Sequence, residues 1–108
     1  MKRLLAGLVL FGAIAGAYAA TPPTRVQTIC HEQAVLIEQT YGFFRNGASE
    51  REAYDQQVDG GTSQKAKTWI KNMVHSIYSD SRSMRVNIDA TSYAHEAQCN
   101  RDPDKYIK

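Results

Sequence analysis

Residues 24–47 read TRVQTICHEQAVLIEQTYGFFRNG. Within them Val26, Cys30, Ala34, Ile37, Tyr41 and Phe44 recur every three or four residues, and Ile29, Leu36 and Phe43 widen the same stripe. That period puts them on one face of an α-helix, while His31, Glu32, Glu38, Gln39 and Arg45 fall on the other. Gly47 comes just past the last apolar residue, where glycine suits the left-handed turn that ends many helices. A long first helix over about Thr24–Asn46 is therefore expected, with a cysteine near its start.

Toward the C-terminus the same grammar repeats. Ser49-Glu50-Arg51-Glu52 is a capping box, in which serine and glutamate each satisfy an orphan backbone N–H, so a short helix should run from Glu50 to about Val58. Gly60-Gly61 ends it. Thr62 or Ser63 can cap a third helix whose stripe is Ala66, Trp69, Ile70, Met73, Val74, Ile77 and Tyr78. Asp80–Ser83 is a polar break. The alternation in Met84–Asp89 resembles a strand, but no partner strand exists, so an extended connector is expected, leading into a fourth helix capped by Asp89 with Ile88 and Tyr93 as a hydrophobic staple. A start near Ser83 also satisfies the apolar spacing of Val86, Ala90, Tyr93 and Ala97. That helix should end around Cys99, leaving residues 101–108 as a polar tail broken by Pro103. The expected fold is all-α: a compact four-helix arrangement over residues 20–100.

Toward the N-terminus, Lys2 and Arg3 precede the uncharged, mostly apolar run Leu4–Ala17, and Ala17-Tyr18-Ala19 offers small residues at a processing site. Residues 1–19 thus read as a cleavable secretory signal, and the run is too short for a spanning helix, which needs about 20 apolar residues. Periplasmic or secreted localisation follows, with no stable membrane anchor after cleavage. Taking 19 of the 108 residues away leaves 89, with the basic side chains reduced from 13 to 11 against 11 acidic ones. A neutral domain argues against nucleic acid, whose binding relies on clustered Lys and Arg. Lys65, Lys67 and Lys71 read as a solvated helix face.

Cys30 and Cys99 are the only cysteines, and export places them where thiols oxidise. Their bridge closes a loop of 69 residues, worth about 4 kcal/mol in the chain-entropy model. It would also make the first and fourth helices antiparallel neighbours. The same region offers one alternative: Cys30-His31 beside His95 and Cys99 could form a tetrahedral zinc site. Oxidation of both thiols is the favoured use, so no metal or other cofactor is expected. His95-Glu96 opens an H-E-x-x-H pattern, but Cys99 stands where the second histidine belongs. Cys30-His31 ends like a haem-attachment motif, but Gln27 stands where its first cysteine belongs. Neither a nucleophile elbow nor a phosphate-binding glycine loop occurs, and no catalytic residues are assigned.

Trp69, Tyr41 and Tyr93 fall in apolar stripes and are expected in the core. Val35, Tyr54 and Tyr78 lie at stripe edges or outside them, which makes them the candidate surface for a protein partner. His31 and His75 are expected on the polar sides of their helices.

With Cys30, Arg45-Asn46-Gly47-Ala48-Ser49 and Cys99, the chain resembles a loose group of small exported bacterial proteins. These pair an early helical cysteine with a late one and carry an arginine-glycine-serine turn between the first two helices. The resemblance implies a stapled helical fold and brings no catalytic residues. The chain is also similar to HdeA-type periplasmic acid-stress chaperones, which are small, helical and held by one disulfide, though with a shorter span between their cysteines. That likeness implies loosening at low pH, when protonation of the carboxylates leaves a strongly positive chain. The function expected is a non-enzymatic binding module, of inhibitor or immunity type, with an acid-responsive chaperone as the alternative.

Overall fold

The computed structural model describes residues 23–107, and the expected signal, residues 1–19, lies outside them. Five helices follow in order: α1 (Arg25–Arg45), α2 (Glu50–Asp55), α3 (Gln64–Ser79), α4 (Ile88–Arg101) and α5 (Pro103–Ile107). The all-α class and the single Cys30–Cys99 disulfide agree with the sequence reading.

α1 begins at a capping box of Thr24 and Gln27 and ends as its glycine predicts. Gly47 has φ of +86°, and the N–H groups of Ala48 and Gly47 donate to the carbonyls of Phe43 and Phe44 at 3.0 and 3.2 Å. This pair of bonds is a Schellman stop, which satisfies carbonyls the helix leaves open. Ser49 and Glu52 form the expected capping box of α2. α2 ends at Asp55, short of Val58, and beyond it the Gln57 side chain donates to Thr40 Oγ1 and to the Ala53 carbonyl, both at 2.9 Å. Asp59 then organises the turn around Gly61, accepting from its N–H at 2.8 Å, and Ser63 caps α3.

α1 is the hub. Its broadest packing is with α4, it also packs on α2, α3 and α5, and the backbones of α3 and α4 stay apart, bridged by side chains such as Trp69 and His95. The polar contacts between α1 and the α4 region pair residues in reverse order: His31 with Glu96, Gln33 with His95, Glu38 with Ser92, Arg45 with Val86. The two helices are therefore antiparallel, as the staple requires. Two apolar clusters form the core. Ile37, Tyr41 and Ile77 gather Phe44, Val86 and Ile88, and Ala53, Ile70 and Val74 gather Leu36, Phe43 and Val58, while Trp69 and Met73 touch both.

Three expectations need correction. Asn87, not Asp89, caps α4: its side chain accepts from the Ala90 N–H at 3.0 Å. The segment before it is turn rather than extended, because buried Ser83 donates to the Ile77 carbonyl and Arg45 donates to the carbonyls of Ser83 and Val86. With the helix starting at Ile88, its buried positions are Ser92 and Cys99, and Tyr93 is turned about 100° from Ser92. Tyr93 is accordingly 75% exposed and forms no staple, whereas Ile88 packs on the core. Beyond these three, the polar tail carries a short helix of its own. Pro103 opens α5, a position that tolerates proline because no backbone donor is needed there, and α5 docks on α1 and α4.

Candidate functional site

Because α3 and α4 lie on α1 with their backbones apart, a cleft of about 520 Å³ runs between them, bridged at one end by Trp69 and His95. Ile37 and Tyr41 of α1 form its floor, and Met73, Ser76 and Ile77 form the α3 wall. The α4 wall is built from the small residues Ala90, Thr91 and Ala94. The rim carries neutral polar groups from Asn87 and Gln98, and neither an acidic side chain nor a lysine or arginine lines the cleft. Such a surface suits an uncharged apolar segment with a few backbone groups to satisfy. Burial, reinforced by the Asp80 carboxylate, holds the Tyr41 phenol above its ordinary pKa of 10.0, with Arg45 and Arg82 opposing.

His95 lines this cleft and belongs to a junction of four helices. Its Nε2 lies 2.7 Å from Gln33 Oε1; an amide oxygen only accepts, so Nε2 carries the proton and donates. The other end of the Gln33 amide donates to the Tyr106 carbonyl at 3.1 Å, and the Tyr106 hydroxyl donates to Gln98 Oε1 at 3.1 Å. Trp69 lies tilted against the imidazole at 5.9 Å between centroids, and Tyr106 meets it edge-on at 5.2 Å. Burial pushes the His95 pKa below its ordinary value of 6.5, only partly offset by the Glu96 carboxylate. The uncharged ring is the form this junction favours.

Beyond that junction a second cavity, of about 300 Å³ and half open to solvent, lies between α1, α3 and α5. Ile29, Gln33, Trp69, Ile70, Tyr106 and Ile107 line it, with Arg25, Lys65 and Glu32 also at its walls.

The four residues weighed as metal ligands are used otherwise. Cys30 and Cys99 are bonded to each other, fully buried, with Cα atoms 5.6 Å apart. His31 Nδ1 meets Glu96 Oε1 at 3.3 Å on the surface, and His95 is held by Gln33. Among the described residues no group of three or more His, Cys, Asp or Glu is gathered as a metal site, and no helix is long and apolar enough to cross a membrane.

Of the candidate partner residues, Tyr78 is half-buried: its ring meets Phe44 edge-on at 5.0 Å and its hydroxyl donates to the Ala48 carbonyl at 2.7 Å. Tyr54 packs on the Ala53–Ile70–Val74 cluster and borders a recess with Glu50, Arg51, Asp55 and Lys71. Val35 is half-buried on α1 and lines neither the cleft nor the cavity. Among the described residues the exposed large apolar side chains are Tyr93 and, at 57%, Met84. Gln33 and Tyr106 escaped the sequence reading. A signal for Gln33 was present, since it lies three residues past Cys30 and shares its buried face; Tyr106 offered none, because its role depends on a tail helix.

No known protein family matches the chain, and comparisons with curated proteins and with solved structures also find no match.

Proposed function

We propose that this chain is an exported, non-enzymatic binding module that holds an uncharged apolar segment of a partner protein in the cleft between α3 and α4. The observation that carries this reading is the separation of those two helices, which leaves an apolar floor beneath a neutral polar rim. The titratable groups lining the cleft, Tyr41 and His95, are both held toward their uncharged forms, which suits docking better than proton transfer. Affinity capture from a periplasmic extract tests it, comparing the wild type with Ala94→Arg, which places a charge on an exposed cleft residue. A partner retained by the wild type and lost with the variant supports the proposal. Recovery of no partner, or equal recovery by both, overturns it.

A second reading, an acid-responsive chaperone, has its own observation. Each histidine joins different helices: His31 of α1 meets Glu96 of α4, His75 of α3 meets Glu50 of α2 at 3.0 Å, and His95 of α4 meets α1, α3 and α5. Acid protonates the His95 ring against the burial that holds it uncharged, which loosens the joint of four helices. Unchanged circular dichroism and no binding of an apolar dye at about pH 2 to 3 would remove this reading.

A further inference from the structure

We propose that the cavity between α1, α3 and α5 is a binding site for a small organic carboxylate with an apolar body, such as a medium-chain fatty acid. Its volume of about 300 Å³ falls at the lower end of pockets that hold small molecules, about 300–1,000 Å³. The walls are apolar where Ile29, Trp69, Ile70 and Ile107 face it. Of the polar groups in its wall, the Gln33 amide is engaged at both ends, by Tyr106 and by His95, and the Ser63 hydroxyl accepts from the Ala66 N–H at 3.1 Å. These groups already serve the fold, so a polar group laid against the apolar walls would forfeit hydration with little replacement.

Charge enters through Arg25, Lys65 and Glu32. Arg25 and Lys65 are exposed and form no ion pair among the described residues, so their charges are free to meet a ligand; Glu32 is the single acid, and the balance is one positive charge. An apolar tail against Trp69 with an anionic head toward the two cations satisfies both parts of the surface. The site is distinct from the cleft between α3 and α4: the two share no lining residue, and the His95–Gln33–Tyr106 junction lies between them. It rests on a different set of residues from the partner-binding proposal and stands or falls separately.

Trp69 is the only tryptophan in the chain and lines the cavity, so its emission reports occupancy. The experiment titrates the oxidised, processed protein with octanoate and with octanamide, following Trp69 fluorescence and the heat of binding in parallel. Saturable binding of octanoate sensed by Trp69 is expected, with octanamide weaker by about fivefold, the scale of a solvent-exposed charge contact. The double variant Arg25→Gln/Lys65→Gln should lose that preference while keeping its helical circular dichroism. Ala66→Phe, which fills the cavity from a half-buried lining position, should lose binding of both ligands. Absence of saturable binding, binding heat without a Trp69 response, equal affinity for the amide, or an unchanged preference in the double variant would each overturn the proposal. If Ala66→Phe fails to fold, the double variant, altered only at exposed side chains, still decides the matter.

Discussion

At the scale of single residues, His95 and Arg45 do the most with the least. The imidazole is held uncharged by burial, so its folded pKa lies below its unfolded one. The unfolded chain then binds the extra proton first, and the stability that His95 contributes is present above about pH 6.5 and lost as pH falls through the lower folded value. His95→Gln keeps a donor for Gln33 but cannot titrate; its unfolding midpoint should fall less than that of the wild type between pH 7 and 5, measured in urea. Arg45 donates from one guanidinium nitrogen to both the Ser83 and Val86 carbonyls. Arg45→Met keeps the packing of the stem but strands those carbonyls, and should cost about 2 kcal/mol in the same assay. Sequence periodicity placed Arg45 on the polar side of its helix, which is correct for the helix alone. What it could not convey is that a loop some forty residues later folds over that side, since nothing local to Arg45 encodes a partner so distant.

At the scale of elements, the helices announced themselves wherever a cap residue and an apolar period coincided. The capping box of α2, the Ser63 cap of α3 and the glycine stop of α1 were all legible for this reason. α4 was harder, because its face is mostly small and polar and both Asn87 and Asp89 are good caps. Asn87→Ala should therefore cost about 1 kcal/mol while Asp89→Ala costs a few tenths, by thermal or urea denaturation. The reverse order would restore the expected boundary. Tyr93 was misread because the buried face of α4 is marked by Ser92 and Cys99 rather than by an apolar stripe, and Tyr93 is turned about 100° from Ser92. The cleft was not legible at all. Each of its walls reads as an ordinary apolar stripe, and only the spacing of the α3 and α4 backbones on α1 shows that the stripes are incompletely covered.

At the scale of the whole molecule, the disulfide governs how much of the fold survives perturbation. Among the described residues, two small apolar clusters and nine buried apolar side chains make a modest core. A staple across 69 residues contributes about 4 kcal/mol against it. Reduction, or the Cys30→Ala/Cys99→Ala pair, should lower stability by that order, and α5 should lose protection first in hydrogen exchange, because it is short and docks beside the bridge. The hub geometry has a mechanical side as well. α4 is fastened to α1 near both ends, by the bridge at one and by Arg45 at the other. Among the described residues no hydrogen bond joins α3 directly to α1; their seam is interdigitated apolar packing, and Tyr78 ties the end of α3 to the Ala48 carbonyl just beyond α1. One jaw of the cleft is thus bolted and the other glued, so a visitor meets one wall fixed by bonds and another fixed by shape.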